Sequence, residues 1–313
     1  MRGLRFLLIS FVVWFFFISH VWALVDHDPI VITGDAGFVS GGFPGSGTVG
    51  DPFRVEGLRI VTDALHRNGV EVRDTSVYFV VRGCVIEADY IGVLVDGAAD
   101  GTAMILGNVI TGRTGDGGGI TLSTDGVLVL NNTCSGFIVG LHTNYADRCI
   151  FQYNNFSYNA YYGLNIRFSD DCLITRNTVV GNGGHGISLI RDSTGNMVYN
   201  NTMARNGGIG SYEWDYIYSY TISSQGCDEG RGNMWYDEET QTGNKWSDYS
   251  GEGEYLLDGS AGSVDKYPLS AEAPVVNPVD DNSGIPGFGL FSIAISLIVF
   301  GLRRAHIRNT RLG

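Results

Sequence analysis

Lysine is almost missing from this chain of 313 residues: Lys245 and Lys266 are the only two. Basic residues number 20 against 33 acidic ones, a formal charge of −13. Arg2, Arg5, Arg303, Arg304, Arg308 and Arg311 belong to two hydrophobic ends, so the body between them keeps 14 basic residues and lies near −19. That sign excludes nucleic acid and anionic lipid as partners of the body. The five cysteines, Cys84, Cys134, Cys149, Cys172 and Cys227, are odd in number and lack paired spacing, which excludes a disulfide framework. Cys149 and Cys172 stand one repeat apart, as buried thiols that pack like small apolar residues or as a bridge. Between residues 58 and 210 no window shows the 3.6-residue period, which excludes helices there. Neither Met-x-x-Met nor His-x-His occurs.

What the chain has is glycine, 45 residues of it, with 16 each of Tyr and Phe, and a repeat. Gly83, Asn108, Asn132, Asn154, Asn177 and Asn201 follow at gaps of 25, 24, 22, 23 and 24 residues. Three residues before each sits Val80, Ile105, Val129, Phe151, Ile174 or Val198. A second column runs through Gly69, Gly92, Gly119, Gly140, Gly163 and Gly186, each followed by an apolar residue. A fixed period of this length marks an array of like units. Within a period the apolar alternation is short, as in Gly163-Leu164-Asn165-Ile166, and Asn, Gly, Asp and Ser fill the gaps as turns. The period predicts an all-β parallel β-helix with coils of about 23 residues. Leu164 stacks on Ile187, and Phe151 on Ile174 on Val198. The asparagines Asn108, Asn132, Asn154, Asn177 and Asn201 form an amide ladder.

The ends have a different chemistry. Residues 1–23 read as a signal peptide, with a basic start, an apolar run and Val21-Trp22-Ala23 at the cleavage position. Residues 24–57 lead in, 58–210 are the β-helix, and 211–270 are a Trp- and Tyr-rich C-terminal cap. Residues 271–284 form an extended linker. Ile285 to Leu302 is an uncharged run of 18 residues ahead of a basic tail at 303–313, a transmembrane helix with a positive-inside flank. The expected placement is therefore a cell-surface body, anchored in the plasma membrane at its C-terminus.

The unit Asn-x-[Val/Ile]-x-x-Asn…Gly-Ile-x-Leu resembles the repeats of right-handed parallel β-helix proteins, and Asn196 to Asn201 shows its first half. With Tyr78-Phe79-Val80-Val81-Arg82-Gly83-Cys84 as an opening rung and Gly243-Asn244-Lys245-Trp246-Ser247-Asp248-Tyr249 as an end segment, the chain is similar to the NosD-like family. Founding members of that family are described as periplasmic copper-binding proteins, so the resemblance implies a right-handed β-helix and a copper connection. Pro286-Gly287-Phe288-Gly289 before the apolar run and Arg303-Arg304 looks like a PGF-type sorting signal of archaeal surface proteins, although nine residues follow Arg304. The resemblance implies an archaeal source.

Candidate chemistry is sparse. Copper needs converging His, Met or Cys, but His142 and His185 fall in different columns two coils apart. Gly184-His185-Gly186 resembles the Gly-His-Gly segment of polygalacturonases, and Asp170-Asp171 resembles their paired aspartates. Inverting hydrolysis needs two carboxylates on one groove, and these groups precede different strands. Asp147-Arg148, Asp170-Asp171 and Arg191-Asp192 recur in the turn after the glycine strand of three coils. They read as solvated turns bonding nearby amides, or as a calcium site at Asp170 and Asp171. Tyr153, Tyr158, Tyr161 and Tyr162 crowd one coil, with Tyr161 and Tyr162 as candidates for sugar stacking. Asn131, Asn155 and Asn200 head glycosylation sequons. The favoured reading is a surface-displayed β-helix that binds carbohydrate or another surface protein without catalysis. The alternative is a polysaccharide lyase or glycoside hydrolase. No cofactor is expected, with calcium at Asp170 and Asp171 as the alternative.

Overall fold

A computed structural model describes residues 24–63, 67–207 and 222–271. The expected signal segment, residues 208–221, the linker from residue 272, the apolar run 285–302 and the basic tail lie outside the described residues. Among the described residues no helix is long and apolar enough to cross a membrane.

The chain winds through three parallel sheets, one strand to each per coil. Sheet A holds ten strands, from Val25–His27 to Leu269–Ser270; sheet B holds eight, from Ile30–Thr33 to Gly226–Asp228; sheet C holds seven, from Phe53–Glu56 to Met197–Tyr199. Every strand of these three sheets pairs with a copy one coil away, and one antiparallel pair, Tyr255–Leu256 with Val264–Asp265, lies outside them. Leu141 lies opposite Leu164 and Leu164 opposite Ile187; Phe151 lies opposite Ile174 and Ile174 opposite Val198. These inward residues are fully buried. Each is worth roughly 1.5–3 kcal/mol of burial, so stability accumulates coil by coil.

Asparagines turn the corner from sheet C to sheet A. Asn154 donates from its backbone N and from Nδ2 to Asn177 Oδ1, at 2.9 and 3.0 Å, and Nδ2 also donates to Val129 O at 3.0 Å. The same pattern joins Asn108 to Asn132, Asn132 to Asn154, and Asn177 to Asn201. The expected ladder is therefore present, and it continues from Asn201 to Asn244. Its upper end is not Gly83. Val85 pairs with Val109, so Cys84 occupies the ladder position and its N–H donates to Asn108 Oδ1 at 3.0 Å. Gly83 belongs one place earlier, in a left-handed column with Gly107, Asn131, Tyr153, Arg176 and Asn200. By the same register Val81, not Val80, is the counterpart of Ile105.

A second ladder, not anticipated, turns the corner from sheet A to sheet B. Asn159 N and Nδ2 donate to Asn182 Oδ1 at 2.9 and 3.1 Å, and Asn182 repeats this to Asn206. The glycine column lies at this corner because the chain passes close to the next coil. A Cβ on Gly163 would sit 2.4 Å from Val179 Cγ1 and 2.7 Å from Gly186 O.

The sheets run past both expected boundaries of the β-helix. The strands at 25–27, 30–33 and 53–56 already belong to sheets A, B and C, while Gly226–Asp228 extends sheet B and Lys245–Trp246 extends sheet A. Phe38, on the helix Gly34–Ser40, is buried against Phe53 and Phe79 at ring distances of 5.0 and 5.3 Å. At the other end Trp235 and Trp246 are buried, and their indole N–H groups donate to Asp228 and Asp265 at 3.0 and 2.9 Å.

Candidate functional site on the outer face of sheet B

Alternation along a strand sends every second residue of sheet B outward. Register lines these residues up in three columns across the coils of Val139–Asn144, Tyr162–Arg167 and Ile187–Ile190. His142, Asn165 and Ser188 form the central column. Asn144, Arg167 and Ile190 flank it at the strand ends. Tyr162 and His185 hold matching positions at the strand starts.

The hydrogen-bonding state of this face is unusual. Buried polar groups ordinarily find partners. Six buried side-chain polar atoms among the described residues lack a partner of good geometry: Asn68 Oδ1, His142 Nδ1, Asn165 Oδ1, Arg167 Nε, Thr175 Oγ1 and Ser188 Oγ, although Tyr162 and Cys227 lie close enough to Ser188, and Tyr199 to Thr175, to interact with them. Five of these six belong to sheet B strands, so the unspent capacity is concentrated on one face. Asn165 is 7% exposed and Ser188 is fully buried, while His142, Tyr162 and Arg167 beside them are half-buried.

Electrostatics sharpen the picture. Burial, with the Arg167 guanidinium nearby, pulls the His142 imidazole down from 6.5 to about 4, so it is neutral at neutral pH. Arg167 stacks at 6.0 Å over Phe168, and among the described residues no carboxylate pairs with it. Burial raises the Tyr162 phenol far above its ordinary value, with Tyr161 adding to the effect. The Tyr161 and Tyr162 rings meet edge to face at 4.2 Å, and Tyr162 lies parallel to His185 at 6.4 Å. Tyr145 stacks on Phe168 at 4.7 Å, just past the strand ends.

His185 is held from outside the coil array. Its Nε2 lies 2.9 Å from Asp258 Oδ2. Asp258 also accepts from Ser223 N and Ser224 N, at 2.9 and 3.0 Å. Burial works against its charge, but His185 and the two serines outweigh it and hold the carboxyl well below the usual range. Sequence reasoning missed Asp258, because it lies 73 residues from His185 in a segment that does not repeat.

The Asp/Arg turn is a different site, at the corner from sheet B to sheet C. Asp125, Asp147 and Asp170 form a carboxylate ladder: Asp147 N donates to Asp125, Asp170 N to Asp147 and Thr194 N to Asp170, at 2.9, 2.8 and 2.7 Å. Arg148 reaches back to Asp125 and Asp100 at 2.7 and 3.2 Å. Asp171 is exposed and left-handed beside the ladder. Arg191 and Asp192 do not stack in this column. Arg167 pairs with Ile190, which places Arg191 next to Phe168, and the extra residue in this turn puts Thr194 beyond Asp170. Asp192 instead faces Arg231 at 3.6 Å. Among the described residues no three of His, Cys, Asp and Glu converge as a metal set.

The remaining candidates are scattered. Tyr153 and Tyr158 are exposed, and Arg176 donates to the Tyr153 hydroxyl at 2.8 Å. Of the sequon asparagines, Asn131 is exposed and Asn155 and Asn200 are half-buried. Asn155 accepts a hydrogen bond from its own Ser157. A cleft of about 490 Å³ near the N-terminal end is lined by Asp35, Thr75 and Ser76. Those three groups are spent on one another through hydrogen bonds of 2.6–2.8 Å.

Comparison with known proteins supplies the fold relationship. Residues 53–218, more than half of the chain, match the family described as right-handed beta helix region. Among solved structures, the A-module of mannuronan C-5 epimerase AlgE6 from Azotobacter vinelandii is similar at 16% identity and a TM-score of 0.47. The likeness covers 67% of this chain and 52% of that one, so the chain spans about half the length of the module. No curated protein matches the sequence.

Proposed function

We propose, for a chain that belongs to the right-handed β-helix family, that the outer face of sheet B is a binding surface for an extended acidic carbohydrate. The protein binds or presents this ligand and does not turn it over. One observation supports the reading: buried polar atoms of His142, Asn165 and Arg167 lack partners and share one face. An unsatisfied buried group costs about 1–3 kcal/mol, and a ligand rich in hydroxyls recovers that cost by entering between the half-buried side chains that cover these atoms. Arg167 brings a positive charge that no carboxylate of the described residues neutralises. This favours a glycan bearing carboxylate or sulfate over a neutral one. Tyr162, Tyr145 and Phe168 supply rings for sugar faces. The apolar run 285–302 fits a body held at the cell surface by its C-terminal end, where such polymers are met.

A second reading, a polysaccharide lyase or hydrolase, draws on His185. Its pairing with Asp258 beside Tyr162 is an arrangement able to move a proton. The copper reading has no convergent ligand set among the described residues to support it.

A glycan array probed with the full-length protein in detergent, followed by a turnover assay on every hit, separates these readings. Binding to acidic glycans without product supports the proposal. Cleavage or epimerisation moves the assignment to the enzyme, and an array without hits removes both.

A further inference from the structure

The corner between sheets B and C carries one column residue per coil: Cys149, Cys172, Asn196 and Asn233. The pairings of Ile150 with Leu173, Leu173 with Met197 and Met197 with Met234 fix that order. In its second half the column is an amide ladder. Asn196 N and Nδ2 donate to Asn233 Oδ1 at 2.9 and 3.0 Å, and Cys172 N donates to Asn196 Oδ1 at 2.9 Å. Beyond Cys172 the amides stop and two thiols take their place. They point as the amides do. Asn196 Nδ2 donates to Ser169 O at 3.0 Å, Cys172 Sγ lies 3.3 Å from Ala146 O, and Cys149 Sγ lies 3.6 Å from Thr124 O. Each of those carbonyls belongs to the preceding coil.

Both thiols are buried, and both are free in this structure. Residues opposite each other on adjacent strands sit about 4.8 Å apart. That falls within the Cα separation of roughly 4.4–6.8 Å that a disulfide spans. The register of Ile150 with Leu173 sets the two side chains opposite each other, and the Cys149 thiol, with burial adding to it, raises the pKa of Cys172 well above its ordinary value. Among the described residues no other cysteine faces a cysteine in register. Cys84 lies at the Asn108 position, Cys134 lies between Ile110 and Phe156, and Cys227 lies beside Ser188.

We propose that Cys149 and Cys172 close a disulfide that staples two successive coils where their amide ladder stops. The two thiols lose two protons and two electrons as the sulfur–sulfur bond forms. An external disulfide such as oxidised glutathione accepts them and leaves as two thiols. Burial opposes the thiolate that must attack, so the bond closes during folding and not in the finished coil. The stapled coils are those that present His142 and Asn165, yet the inference does not depend on what that face binds.

The test is to unfold the full chain in reductant and refold it in a buffer of oxidised and reduced glutathione. After an acid quench and denaturation the free thiols are alkylated with iodoacetamide, and intact mass and peptide maps are read. The expected result is three labels instead of five, with one cross-linked peptide pair containing Cys149 and Cys172. Refolding in reductant restores all five labels. Cys149→Ser carries four labels and no cross-link; loss of two labels in that variant overturns the proposal. Five labels after oxidative refolding, or a cross-link through Cys84, Cys134 or Cys227, overturns it as well.

Discussion

Asp258 Oδ2 meets His185 Nε2 at 2.9 Å and ties the C-terminal segment to the turn that leads into the sheet B strand Ile187–Ile190. The same carboxylate receives two backbone N–H groups, so one side chain fixes three neighbours. Its folded pKa is depressed. The stability it contributes is therefore present above the ordinary carboxylate value near 4 and is lost as pH falls below that value. Asp258→Asn is expected to lower the melting temperature at pH 7 and to narrow its difference from wild type below about pH 3. Thermal denaturation across that range reads this directly. A constant difference would remove Asp258 as the source.

His142 acts in the same direction but in a higher pH window. Its folded pKa of about 4 lies under the ordinary 6.5. The unfolded chain takes up this proton first, so stability declines as pH drops from about 6.5 to about 4. His142→Gln is expected to flatten that part of the stability profile. An unchanged slope would show that another group titrates there.

The amide ladder sets the cost of a core polar substitution. Asn154→Ala leaves Asn132 N without its acceptor and Val129 O without the Asn154 donor, while Asn132 Nδ2 keeps Ile105 O and Leu130 O. At about 1–3 kcal/mol for each orphaned group, a loss of roughly 2 kcal/mol or more is expected in urea denaturation. Gly163→Ala tests the corner in a different way. Its Cβ would meet Gly186 O at 2.7 Å, and the variant is expected to lose at least as much as Asn154→Ala.

Repetition governed what could be read in advance. Asn108 to Asn201 and Gly69 to Gly186 announce themselves because each coil spends one residue on the same geometric task. The ladder of Asn159, Asn182 and Asn206 repeats at gaps of 23 and 24 residues, but it has three asparagines where the neighbouring column has five, so its period stands out less from the many other asparagines of the turns. Gly83 was misplaced by one residue because glycine serves the left-handed position that asparagine also serves. Arg191 and Asp192 fell out of register because their turn holds one extra residue, which a gap count absorbs unnoticed. The candidate site resisted for a chemical reason. His142, Asn165 and Ser188 differ in type from coil to coil, so no column of identical letters marks them, and Asp258 comes from outside the repeat.

Calcium at the turn column can be checked by stability alone. Asp170 already accepts Thr194 N at 2.7 Å, a structural task that needs no cation. Asp170→Ala with Asp171→Ala is therefore expected to lower the melting temperature equally in calcium and in EGTA. A larger drop in calcium would place a bound ion there.

The central claim is that sheet B holds its polar groups unpaired for a ligand. Groups kept for binding should be dispensable for folding. The decisive measurement pairs thermal stability with acidic-glycan binding for Asn165→Ala and Arg167→Leu, each compared with wild type. The account predicts melting temperatures at or above wild type, because an unsatisfied group is removed, together with at least a tenfold loss of affinity. Variants that melt lower and bind as wild type does would contradict it.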